Sequence, residues 1–290
     1  MNETIVKKQA DVSIVCANYN NGIYLKDFLK GIEEASCTPK ELIIIDDGST
    51  DQSLAILESS QLPYLVLVKH KENLGFANAL NTGINRASGK YILRIDPDDV
   101  ISPSRMVKQL EFLTKNTEVD IVGGNISYFW NNPENTLGTS NFPTDEITIL
   151  KRYHNGEHGM LHGTVMGKAS VFKTHEYKQE NVPAEDYDIF SRMLLAGAKF
   201  SNLSEVITHV RIHEGSISNS LPFSTIEKTY AIRDTLFGKS TSKFFIYFNY
   251  VSLKSYRNYY FEQHRFYKLF HLAMAVLFRP DKALKRLIKS

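Results

Sequence analysis

Tyr91-Ile92-Leu93-Arg94-Ile95-Asp96-Pro97-Asp98-Asp99 is an apolar run that stops in three carboxylates. A strand ending there delivers several negative charges to one edge of a sheet. Left unpartnered, such charges repel and cost stability, so the segment asks for something positive. Hard oxygen ligands suit Mg²⁺ or Mn²⁺, and a metal held by one or two carboxylates is typically completed by substrate phosphates. Earlier in the chain a second run, Leu42-Ile43-Ile44-Ile45, also ends in acids, Asp46-Asp47-Gly48-Ser49-Thr50-Asp51. Two parallel strands with carboxylates at their C-terminal ends describe the ligand edge of an open α/β sheet.

Outward from these runs the hydrophobic period alternates. Val12 to Cys16 reads as a buried strand, and Leu25, Phe28, Leu29 and Ile32 follow at helical spacing. Thr50 or Asp51 is placed to cap a helix through Glu58. Tyr64 to Val68 is a third strand, a helix spans Phe76 to Ala87, and Tyr91 to Ile95 is a fourth strand. Pro103 is placed to open the helix carrying Met106, Leu110 and Leu113. This rhythm predicts βαβ units, hence an α/β fold with a Rossmann-like, mostly parallel sheet flanked by helices. Asp120 to Gly124 is another strand, and Asn131 to Pro143 reads as a surface loop. Helices are expected over Asp145 to Tyr153 and Glu185 to Ala196, with a strand over Glu205 to Ile212. From Phe223 the chain looks helical, so the expected division is a catalytic domain over 1–222 and a helical C-terminal extension over 223–290.

The composition, 42% hydrophobic and 23% charged, is that of an ordinary soluble globular protein. The net charge of +2 conceals an asymmetry. Residues 223–290 carry thirteen Lys/Arg against four Asp/Glu, leaving 21 against 28 in the body. Aromatic and basic helices of this kind lie in membrane interfaces, drawn to anionic lipid. The plain alternative is that the aromatics pack on the catalytic domain or across a homodimer. Cys16 in an apolar strand and Cys37 near a helix end argue against a disulfide framework and for a reducing compartment. The polar N-terminus lacks the apolar core of a signal peptide, and Leu269 to Phe278 is too short to span a bilayer. The expected location is the cytoplasm, with peripheral association at the inner face of the cytoplasmic membrane. No nucleic-acid partner is expected.

Other segments carry chemistry beside a plain reading. In Ala17-Asn18-Tyr19-Asn20-Asn21-Gly22, Tyr19 could stack on a base while Asn18 or a backbone group reads its polar edge; otherwise it is an Asn-Gly turn. Asn73 to Gly83 opens a helix whose N-terminus favours phosphate, or whose glycines serve packing. Glu185-Asp186-Tyr187-Asp188 places acids in a first helical turn, where the dipole alone accounts for them. His162 and His213 are each ambiguous taken singly.

Taken together, these blocks resemble family 2 glycosyltransferases of the GT-A fold, above all the bacterial capsule, exopolysaccharide and O-antigen sugar transferases. The resemblance runs from Val12 to Ser218 and its ordered blocks are specific. They are Ser13 to Asn20, Ile45 to Asp51, Asn73 to Gly83, Gly89 to Asp99, Arg105 with Gln109, His162 to Met166, Glu185 to Asp188, and Arg211 to Ser218. The resemblance implies a nucleotide-sugar donor and a saccharide acceptor, lipid-linked or part of a growing polysaccharide. It places Ala17, Tyr19 and Asp47 at the base, usually uracil, with Asn18 and Asn73 on the same side and Asp96 near the ribose. Asp98 matches the metal-binding acid of the Asp-x-Asp motif, and His213 a histidine that completes the Mn²⁺ or Mg²⁺ and diphosphate site. Asp186 matches the general base of inverting members, with Glu185 beside it and His162 on the acceptor side.

Two positions depart from the pattern. Leu80 stands where many relatives have an Arg that holds the nucleotide part, which leaves that contact to Arg94 or another group. Gly167-Lys168 stands where an Arg usually follows the His162 segment. Two other classes fit less well. A phospho-acceptor signalling domain does not account for Asp96 to Asp99 or the basic tail. A catalytically silent nucleotide-sugar binding module has no need of Asp186.

Overall fold

The computed structural model describes residues 7–213, 221–262 and 264–282, with the backbone alone at Tyr260 and Phe261. The end of the last matching block, residues 214–218, lies outside the described residues. The four aliphatic runs become β1 (Val12–Asn18), β2 (Glu41–Asp46), β3 (Leu65–Lys69) and β4 (Tyr91–Arg94), all parallel in the order β3-β2-β1-β4. Helices α1 (Gly22–Glu34), α2 (Ser53–Glu58) and α3 (Phe76–Arg86) connect them. Every residue of β1 and β4 is buried, as expected where crossover helices cover both faces of a parallel sheet. Leu25, Phe28 and Ile32 are the buried stripe of α1; each contributes roughly 1.5–3 kcal/mol by leaving water.

Beyond β4 the topology changes. β5 (Val100–Ile101) and α4 (Arg105–Lys115) lead to β6 (Ile121–Phe129), which pairs briefly with β7 (Gly138–Thr139). After α5 (Glu146–His154), the short strand β8 (Met166–Lys168) inserts antiparallel between β4 and β6. Helices α6 (Ala169–Lys173) and α7 (Glu185–Leu195) precede β9 (Phe200–Arg211), which runs parallel to β6 and pairs with β5 at the edge. β6 is longer than its hydrophobic signal because Gly123, Gly124 and Asn125 interrupt it. The register shifts there, and a Cβ on Gly124 would meet Ile207 at 2.6 Å. β9 likewise begins five residues before Glu205.

Two capping expectations are corrected. Gln52 precedes α2, and Asp51 accepts from the Ser53 and Gly22 amides instead. Pro103 sits in a turn before Ser104, which precedes α4; the chain needs that turn to let Arg105 donate its amide to Ser102 O.

Arg105 is fully buried yet satisfied. Its guanidinium donates to Gly163 O, Thr208 Oγ1, Arg94 O and Gln109 Oε1. Gln109 in turn donates to Val122 O and Thr164 O. This network ties α4 to the end of β4, the turn His162–Thr164 and β9. A buried charge is tolerated only with such pairing.

The chain divides into two compact units after His213. The second holds α8 (Phe223–Phe237), α9 (Lys243–Phe261) and α10 (Arg265–Phe278). Its small core is Ile226, Tyr230 and Ile246. Ser252 Oγ donates to Ala275 O at 2.8 Å, pinning α9 to α10. No helix among the described residues is long and apolar enough to cross a membrane. Cys16 and Cys37 are buried and free.

Candidate active site

The parallel register sets Asn18 beside Asp46, so the loops after β1 and β2 leave the sheet together. Asn18 is buried and donates to Asp46 and Ser49, at 2.8 and 3.2 Å. Asn20, at φ +56°, accepts from the Thr50 amide at 2.8 Å and binds one loop to the other. Tyr19 stands out from this frame, 44% exposed, and Ala17 lies buried below it in β1.

Asp47 is buried and points inward. It accepts from the Leu74 and Gly75 amides at 3.0 and 2.9 Å and contacts His70 Nδ1 at 2.6 Å. Three partners take most of a carboxylate's acceptor capacity. The structure therefore uses Asp47 to shape the loop that carries exposed Asn73. Gly48, at φ +73°, permits this closeness: a Cβ would lie 2.8 Å from the Glu72 backbone. The start of α3 is filled by protein as well. Gln179 accepts from the Ala77 amide at 3.0 Å, so that amide serves packing rather than a phosphate.

At the end of β4, one oxygen from each of Asp96, Asp98 and Asp99 falls within a 4.8 Å cluster. Arg94 holds Asp96 through both guanidinium nitrogens. Asp98 Oδ2 lies 2.9 Å from His213 Nε2. Asp99 accepts the Arg211 amide at 3.1 Å. Burial pushes Asp99 well above the usual carboxylate range, and Asp98 and Asp96 push it further. Asp96 is raised by burial against the pull of Arg94, and Asp186 adds to the rise. This is an excess of negative charge on hard oxygens, the donor set that suits Mg²⁺ or Mn²⁺. Asp98 and His213 come together as expected, and Asp99 joins them. The adjacent acid in Asp98-Asp99 was the available signal.

The second wall is the start of α7. Glu185 is buried with Oε2 lacking a hydrogen-bond partner, and burial, then the charge of Asp186, raises it to about 8. Its carboxyl therefore holds a proton at neutral pH. Asp186 Oδ1 accepts the Tyr187 amide at 2.7 Å, and Oδ2 lies 3.5 Å from His158 Nδ1. Asp188 is tied to Arg192 at 2.7 Å. His162 is buried against Phe76, Phe190 and Tyr177, with Nε2 2.7 Å from the Tyr177 hydroxyl. Burial, then the Arg94 charge, keeps its ring neutral by lowering its pKa well below the usual value. It acts as an anchor for the segment behind α3: Tyr177 and Asn81 exchange backbone and side-chain hydrogen bonds.

The two departures resolve differently from expectation. Leu80 is wholly buried in α3. Arg94 does not stand free in place of the missing Arg, because its guanidinium is committed to Asp96 and stacked under Phe76, 5.3 Å from the ring centre. Lys168 pairs in register with Tyr91, at the other end of β4, and binds Asp120 and Thr117 O, both at 2.8 Å. It lies away from the acids.

The fold and the acidic strand ends fit a glycosyltransferase framework, and the comparisons agree. Residues 13–175 match the family described as Glycosyl transferase family 2, and the chain belongs to that family. It is 30% identical over 219 residues to an uncharacterized glycosyltransferase of Haemophilus influenzae, covering 72% of this chain and 67% of that one. It is 27% identical to the UDP-Gal:alpha-D-GlcNAc-diphosphoundecaprenol beta-1,3-galactosyltransferase of Escherichia coli, covering 69% and 73%. The solved mannosyltransferase PcManGT from Pyrobaculum calidifontis, in complex with GDP-Man and Mn²⁺, superposes with a TM-score of 0.60 at 15% identity, covering 95% of this chain and 80% of that one. At that identity the likeness speaks for the GT-A fold alone.

Proposed function

We propose that this glycosyltransferase moves a sugar from a nucleoside diphosphate, a UDP-sugar, to a hydroxyl of a lipid-linked or growing surface polysaccharide, with inversion at the anomeric carbon. The observation that carries the reading is Asp186, whose Oδ2 faces His158 at 3.5 Å while Asp188 of the same turn is paired to Arg192. The acceptor oxygen forms the new bond to the anomeric carbon while the bond to the diphosphate oxygen breaks, its electron pair leaving with the diphosphate. The acceptor proton passes to Asp186 Oδ2. Tyr19 stacks on the base, in a wall that Asn18, Asp47 and Asn73 shape. Asp96, held by Arg94, faces the ribose. A divalent ion on Asp98, with Asp96, Asp99 and His213 as the fitting donors, would supply Lewis-acid charge to the leaving group. Neutral His162 and protonated Glu185 line the acceptor side.

A panel of UDP-glucose, UDP-galactose, UDP-N-acetylglucosamine and GDP-mannose with Mn²⁺ tests the donor. Release of UDP from one UDP-sugar is the expected result. Binding without release from any donor would leave a silent binding module.

The helical unit supports attachment to an anionic leaflet. In α10, Phe266, Leu269, Phe270 and Leu277 fall on one side, each at least half exposed, and Phe244 and Phe248 are exposed on α9. Apolar stripes flanked by Lys and Arg bind membrane interfaces. The full chain should float with liposomes containing phosphatidylglycerol and less with phosphatidylcholine alone. The triple variant Phe266→Ser/Phe270→Ser/Leu277→Ser should lose most of that binding. Equal flotation of both proteins would assign the stripe to protein contacts, a homodimer included.

A further inference from the structure

His158 lies outside every block of the family pattern, yet it is the side chain that faces the candidate base. Asp186 has one oxygen taken, since Oδ1 accepts the Tyr187 amide; Oδ2 is left 3.5 Å from His158 Nδ1. That nitrogen is buried and has no hydrogen-bond partner. Leaving a buried polar atom unmatched is costly, and the acid beside it is the natural match. The ring cannot easily turn away. It sits edge-on to Tyr153 and Tyr187, with centres 6.4 and 5.6 Å apart. The Tyr187 hydroxyl donates to the Tyr153 backbone carbonyl, and the two rings pack with centres 5.4 Å apart. The remainder of the imidazole is open, the side chain being 37% exposed.

We propose that His158 is a positioning residue for the transfer. Its Nδ1–H donates to Asp186 Oδ2 once the site is filled and holds the free lone pair of that oxygen toward the attacking hydroxyl. The acceptor proton still goes to Asp186, and His158 keeps its own. A separation of 3.5 Å is slightly long for a hydrogen bond, but bonds between a base and its orienting group commonly tighten only when substrate is bound. The role rests on Asp186 being the base.

A double-mutant cycle tests it, read as UDP release from the UDP-sugars of the donor panel with water as acceptor. His158→Phe keeps a ring against Tyr153 and Tyr187 and removes the donor. His158→Asn returns an N–H close to the Nδ1 position. We expect His158→Phe to lower kcat roughly tenfold to a hundredfold, the scale of a misaimed reacting group, with the donor KM unchanged. His158→Asn should recover most of that loss. In an Asp186→Asn background His158→Phe should have no further effect, because the two act as one unit. Wild-type kcat in His158→Phe, an effect on KM alone, or the same loss in both backgrounds would each overturn the proposal. If His158→Phe does not fold, His158→Gln takes its place in the cycle with the same outcomes. Should Asp186→Asn itself turn over at the wild-type rate, the base assignment falls; a dead Asp186→Asn beside a fully active His158→Phe removes only the part of His158.

Discussion

Asp186→Asn is expected to lower sugar transfer by roughly 10²–10⁴-fold, the usual contribution of a general base. The substitution keeps the shape and the local hydrogen bond, since an amide oxygen can still accept the Tyr187 N–H that Asp186 Oδ1 accepts at 2.7 Å. What is lost is the basic oxygen. Of the neighbouring acids, Glu185 is raised to about 8 by burial and the Asp186 charge, and Asp188 is spent on Arg192. Donor affinity should change little, because Tyr19, Asn73 and Asp96 belong to other loops. The measurement is kcat and donor Kd for the variant. A weakened Kd with kcat intact at saturation would make Asp186 a binding or capping residue.

Asp98→Ala should abolish transfer and leave the fold intact. The Asp98 charge raises both Asp99 and Asp96 in this cluster, so deleting that carboxylate relieves repulsion in the free protein. EDTA should stop the wild type, and Mn²⁺ or Mg²⁺ should restore it. A thermal midpoint gives a second readout. A ligand at a hundred times its Kd stabilises the native state by about 2.7 kcal/mol, so Mn²⁺ should raise the wild-type midpoint and not that of the variant. Full activity after EDTA treatment would remove the metal from the reaction.

Much of the fold was legible along the chain. The runs Val12 to Cys16, Leu42 to Ile45 and Tyr91 to Ile95 are continuous and aliphatic because a parallel sheet is covered on both faces. Carboxylates at the ends of two such runs marked the ligand edge. The pairing of Asp98 with His213 followed from the family's order of blocks, although 115 positions separate the two residues.

What each acid does was not legible. Asp46, Asp47, Asp98, Asp99, Glu185 and Asp186 all read as carboxylates at strand or helix ends. In the structure Asp47 holds a loop, Asp99 sits buried against the Arg211 amide, and burial raises Glu185 to about 8. The difference lies in which donors reach each oxygen and how much water is excluded, and those donors come from distant segments. β8 shows the same limit. Three residues insert beside β4 only because β6 and β4 leave a place for them, and that insertion carries Lys168 away from the acids. His158 meets Asp186 across 28 positions without any shared local pattern. Local period and strand-end chemistry are properties of the sequence by itself. Partner choice for a buried charge is decided by the tertiary structure, because it depends on geometry and exclusion of water that no short segment contains.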